Sequence, residues 1–146
     1  MRDQRYQLKF STAFEVFEFT SEGSKGHINK IVKYTETSTQ GVYNLGFGDK
    51  IGETDDFDDV VISDNEDSVR VLATVAGTVY IFTDKFPNAY IYATGSTASR
   101  TRLYRMGISK HLKEIEEDFK VFGFINDSLE KFRKNRNYHA FLLTKK

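Results

Sequence analysis

The feature that most constrains this chain is an apolar stripe at residues 69–82. Val69, Leu72, Val75, Ala76, Val79 and Phe82 recur at helical spacing. Pro87 is the only proline, and it closes the run with Phe86 in the pre-proline position that disfavours helix. Thr74, Thr78, Thr83 and Gly77 lower the intrinsic helix propensity of this stretch. Packing against another element must therefore hold it, which makes it a core helix. Its start is expected at Ser63 or Asp64 as cap, with Glu66 and Asp67 favourably placed in the first turn.

The partner surface is read from the segments on either side. Residues 10–20 and 27–35 are rich in aromatic and β-branched residues and are separated by the turn-forming SEGSKG, which predicts a hairpin. A third strand is expected at 41–47. Tyr43, Leu45 and Phe47 project to one side of it, while Val42, Asn44, Gly46 and Gly48 leave the other side nearly bare. Glycines on that face point to a bulge or to close approach by a helix, a backbone or a ligand. Beyond Pro87 come a short strand at 88–94 and a second helix at 97–118, with Thr101, Tyr104, Ile108, Leu112, Ile115 and Phe119 on one stripe. A strand at 120–125, a turn or short helix across 126–134 and a closing strand at 138–143 complete the pattern.

The predicted order is β-β-β-α-β-α-β-β. It implies an α+β fold, a mainly antiparallel sheet with two main helices packed on one face, in a single domain spanning 1–146. The 146 residues are 39% hydrophobic and 29% charged, enough for one core without a metal or a crosslink. The chain has no cysteine, so thiolate nucleophiles, cysteine-based zinc sites and disulfides are excluded. The opening MRDQRYQLKF lacks an apolar signal region, and no apolar run approaches the length of a membrane span, so a soluble cytoplasmic protein without a membrane partner is expected.

The candidate site lies between the fourth strand and the second helix, in GSTASRTRLYR. Gly95, Ser96 and Thr97 would offer backbone N–H groups and hydroxyls at the positive end of a helix dipole, a geometry that binds anions. Arg100, Arg102 and Arg105 follow where the dipole disfavours cations, by about 0.3 to 1 kcal/mol each when exposed. A negative partner would offset that cost. At about 100° per residue Arg102 and Arg105 lie about 60° apart, whereas Arg100 lies on a different side. A plain structural role competes with this reading: Gly95 makes a turn, Ser96 or Thr97 caps the helix, and the arginines pair with the acidic loop at 49–67 or face water.

The formal net charge is +0, so bulk charge does not drive nucleic-acid binding, but the distribution is uneven. Asp55, Asp56, Asp58 and Asp59 crowd the acidic loop and read as a solvated loop rather than a metal site, since the order of an EF-hand is missing. No metal or other cofactor is expected. The sequence also lacks a P-loop, a Rossmann fingerprint and a G-x-S-x-G context for Ser96 or Ser99, and His27, His111 and His139 are far apart in sequence. No catalytic residue is singled out. Tyr43, Tyr90, Tyr92 and Tyr104 are read mainly as core, with base stacking beside Arg102 as the functional alternative.

The stretches VYNLGFGD, LATV and GST followed by RTRLYRMGI resemble a family of small uncharacterised bacterial proteins, a domain of unknown function associated with Bacteroidetes-type genomes. The resemblance covers most of the chain. It implies a bacterial cytoplasmic setting and supplies no catalytic residues.

The leading expectation is an anion- or phosphate-binding module, with Gly95, Ser96, Thr97, Arg100, Arg102 and Arg105 engaging a nucleic acid or a nucleotide. A bacterial toxin–antitoxin or defence system is one setting for such a module. The alternative is a protein-interaction or homodimeric module built on Leu103 and Met106, which lie on the far side of the second helix from its core stripe. A metal-dependent nuclease or hydrolase stands third.

Overall fold

The computed structural model describes residues 5–11, 13–58, 65–95 and 97–146. In chain order the elements are β1 (Lys9–Phe10), β2 (Val16–Gly23), β3 (Gly26–Glu36), β4 (Val42–Lys50), β5 (Phe57–Asp58), α1 (Ser68–Lys85), β6 (Tyr90–Ala93), α2 (Ala98–Lys110), α3 (Leu112–Asp118), β7 (Phe119–Ile125), β8 (Ser128–Lys131) and β9 (Ala140–Lys145). The fold is α+β, as expected. One sheet runs in the order β1-β2-β3-β4-β6-β9-β7-β8, with β5 added along β4. Every pairing is antiparallel except β4 with β6, whose crossover carries α1.

The expected β2–β3 hairpin forms, with Gly23 opposite Gly26 across its tip. Side chains of one sheet face receive the helices. Tyr34 stacks on Phe82 of α1 with ring centroids 4.1 Å apart, and its hydroxyl shares a 2.8 Å hydrogen bond with that of Thr78. Tyr43 meets Phe82 edge-on at 5.0 Å, which settles the direction of the Tyr43, Leu45 and Phe47 row. Thr74, Thr78 and Thr83 are fully buried, and each returns its hydroxyl to a helix carbonyl three or four residues back. The weak helix formers of α1 thus become satisfied core groups.

The bare face of β4 is closed by the acidic loop. A Cβ on Gly46 would lie 2.6 Å from the Phe57 ring, and one on Gly48 would lie 2.4 Å from the Asp58 carbonyl oxygen. The two glycines admit a ring and a backbone; the backbone was among the approaches their spacing predicted, and the ring was not.

Three boundaries depart from expectation. α1 begins at Ser68, and residues 63 and 64 lie outside the described residues. Asp67 occupies the cap position without capping, because its carboxylate accepts from the hydroxyls of Tyr6 and Ser21. Buried Asn65 adds to this tie by donating to Ser21 Oγ and to the Gly26 carbonyl, so the entry to α1 is bound to the β2–β3 hairpin. The second helix is broken at His111, whose backbone at φ −112° and ψ 19° separates α2 from α3. Where a turn or short helix was expected at 126–134, β7 and β8 form a hairpin. Asn126 and Asp127 both take positive φ in its two-residue turn, a conformation that Asn and Asp tolerate and that suits the twist of paired strands.

Candidate anion-binding groove

The turn into α2 satisfies much of its own polarity. Thr97 is the N-cap, and its hydroxyl accepts from the Arg100 N–H at 3.2 Å. The Gly95 N–H donates to Thr101 Oγ1 at 3.0 Å. A Cβ on Gly95 would sit 2.4 Å from the Thr101 nitrogen, so close approach of helix and strand end requires glycine here. Of the groups expected to hold an anion, the Gly95 N–H and the Thr97 hydroxyl are therefore engaged within the chain. Ser96, the third residue of the expected cradle, lies outside the described residues.

The three arginines separate. Arg100 is 6% exposed and points into the protein, where Nη1 donates to the Phe47 carbonyl at 2.6 Å. Its guanidinium also lies 4.7 Å from the centre of the Phe47 ring. It does not join a surface patch with the other two, because its place on the helix turns its side chain toward β4. Arg102 is exposed, and Arg105 is half-buried and donates to Asn137 Oδ1 at 3.1 Å. Among the described residues neither has a carboxylate partner. The acidic loop turns elsewhere: Asp56 faces Lys33 at 3.9 Å, while Phe57 and Asp58 cover β4.

Arg102 and Arg105 open onto a groove of about 660 Å³ between the start of α1 and the outer side of α2. Lys110 adds a third cation, and Asn135 and Asn137 close one end. No carboxylate and no tyrosine or phenylalanine is among the described residues that line it. Leu103 and Met106 line the same groove, with Met106 54% exposed and Val69 of α1 41% exposed beside them. The basic pair and the apolar pair, which stood for two different readings of the sequence, share one surface. Tyr104 is buried, and Tyr92 packs on Phe124 at 5.8 Å, so neither ring reaches Arg102.

His111 lies where the helix breaks and borders the groove. Burial pushes its imidazole below the ordinary histidine value; Glu114 draws it back up and Lys110 pushes it further down. His27 and His139 are exposed, the first 3.9 Å from Glu22 and the second packed on Phe124. No three histidine, aspartate or glutamate side chains converge among the described residues. Asp59, one of the four aspartates weighed for a cation, lies outside them.

The sequence reading missed a second polar cluster beneath β4. Lys30 is buried and pairs with Asp49 at 2.5 Å, and its ammonium lies 6.0 Å from the centre of the Phe47 ring that Arg100 also approaches. Lys30 sits in an alternating strand with no motif around it, and only the register, Lys30 opposite Asp49, brings the pair together. The cluster joins VYNLGFGD to the start of α2.

The model of a family of unknown function (DUF6934) matches residues 2–146. The chain belongs to this family. In this chain VYNLGFGD of β4 and RTRLYRMGI of α2 meet at Phe47 and Arg100. No curated protein and no solved structure matches the chain. Among the described residues no helix is long and apolar enough to cross a membrane.

Proposed function

We propose that the groove beside α2 is an anion-binding surface that engages the phosphates of a nucleic acid or a nucleotide in a bacterial cytoplasm. The observation that carries this reading is the convergence of Arg102, Arg105 and Lys110 on one concavity that no described carboxylate lines. Bordering one concavity with no described carboxylate among them, three cations raise the local positive potential and favour an anion between them. Ser68 and Val69, at the first turn of α1, border the same groove. With no tyrosine or phenylalanine among the described lining residues, this reading rests on phosphate contacts rather than on base stacking.

The test is fluorescence anisotropy with a labelled single-stranded RNA, titrated across salt concentrations. The intact protein should bind at low salt. Arg102→Ala with Arg105→Ala should weaken binding and lower the salt slope by about 0.7 for each phosphate that is no longer neutralised. No binding by the intact protein at low salt would overturn the reading.

A homodimer is the second reading, favoured by the exposure of Met106 and Val69 in the same groove. Sedimentation of the intact protein separates the two: a monomer at micromolar concentration removes the dimer and leaves the anion surface standing.

A further inference from the structure

Beside the groove lies a second space, a partly open cavity of about 90 Å³ bordered by α1, α2, α3 and the sheet. Val79, Ile108, Ile115 and Leu143 form much of its wall. Leu72, Gly107 and His111 line both the cavity and the groove, so a single layer of side chains separates them. Leu72 packs closely over Gly107, where a Cβ would lie 3.1 Å from Leu72 Cδ1, so the Leu72 side chain stands between the two spaces.

The two spaces differ in chemistry. Among the described residues, the only polar side chains on the cavity wall belong to Tyr80, Tyr104 and His111. Burial pushes both phenols up to about 12 and pushes the imidazole down, so all three favour their neutral forms. The interior is thus apolar and uncharged, while Arg102, Arg105 and Lys110 stand just outside. A space of about 90 Å³ is smaller than the roughly 150 Å³ apolar cavity that accommodates benzene, so it suits a short alkyl group. A charged head could not follow the alkyl group inward without losing its hydration uncompensated.

We infer that cavity and groove form one bipartite site for an amphiphilic anion, with a short alkyl tail passing Leu72 and Gly107 into the cavity and a carboxylate or phosphate head held by Arg102, Arg105 and Lys110. The inference rests on the proposed anion-binding role of the groove and adds a tail pocket to it. It makes the Leu72 side chain, packed on Gly107, the group that turns aside to admit the tail.

The experiment is a chemical-shift titration of the full chain with pentanoate, pentyl phosphate, 1-pentanol, pentylammonium and inorganic phosphate. Pentanoate and pentyl phosphate should shift resonances of both Ile115 and Arg105 and bind more tightly than pentanol or pentylammonium. The stronger of the two identifies the head group. Affinity should rise about fourfold per methylene until the cavity is full. Arg102→Ala with Arg105→Ala should bring pentanoate down to the affinity of pentanol without changing pentanol itself. Ile108→Ala should extend the gain to longer tails, a result that mere destabilisation does not produce.

If inorganic phosphate and pentyl phosphate bind equally and only groove resonances move, the tail pocket is overturned while the anion surface stands. If pentanol shifts Ile115 and pentanoate binds no better, the charged head is overturned together with the anion reading. If none of the five shifts either region, the bipartite site is overturned, and binding of the labelled RNA then decides the groove separately.

Discussion

Arg100 and Arg102 stand two residues apart on α2 and meet opposite environments. The inner side of the helix puts Arg100 and Tyr104 into the core, where the guanidinium serves a backbone carbonyl and an aromatic face. The outer side holds Arg102, Arg105 and Met106 at the groove. The same residue type is thus a structural tie on one side and an available cation on the other. Arginine density marked the stretch correctly as unusual, but density alone did not distinguish one role from the other. What divides them is the rotation per residue, about 200° for two steps, combined with the position of β4 beneath the helix.

The sharpest way to break this contrast is to remove Arg100. Arg100→Ala leaves the Phe47 carbonyl without its guanidinium donor and opens space beside the ring, so stability should fall by about 3 kcal/mol, read from urea unfolding. An Arg100→Ala protein as stable as the parent would place this arginine with the outer pair. Arg102→Ala and Arg105→Ala should each change stability by no more than about 0.5 kcal/mol in the same assay, because neither has a carboxylate partner among the described residues. A large loss at Arg102 would show that the outer side is structural too.

His111 lies between the two environments and sharpens the comparison through pH. Its value in the folded protein is lowered, so the folded state resists its protonation. The stability it contributes is whole above the unfolded value of about 6.5 and is lost as pH falls through the folded value. Urea midpoints at pH 7.5 and at pH 5.5 should differ more for the parent than for His111→Gln, by the smallest margin of these three tests. Saturating phosphate should shrink the parent's loss, since an anion in the groove favours the charged imidazole; an increased loss would separate His111 from the anion surface.

Several parts of this architecture were legible because a short-range pattern expressed them. The period of α1 placed Val75, Val79 and Phe82 in the core but not Val69, which is 41% exposed at the groove while Val71 is buried, and Pro87 showed where the helix ends. SEGSKG announced the β2–β3 hairpin, and the glycines of β4 announced that something would lie close. Other features depended on neighbours far along the chain. His111 is no helix breaker, so nothing nearby signals the break between α2 and α3. Asp67 had the character of a first-turn acid, yet two hydroxyls from Tyr6 and Ser21 claim its carboxylate. Asn126 and Asp127 suited a helix start as well as a tight turn, and the pairing of β7 with β8 chose the turn.

Residue order by itself therefore determined the α+β class, the inward placing of Val75, Val79 and Phe82 on α1 and the separation of Arg100 from Arg102 and Arg105 around a helical axis, because each follows from local periodicity. Only the tertiary structure decided which of those arginines faces inward, that Lys30 meets Asp49, and that Leu103 and Met106 share a groove with the two outer cations. Those outcomes depend on strand register and on where α2 lies over the sheet, and both are set by contacts between residues remote in sequence.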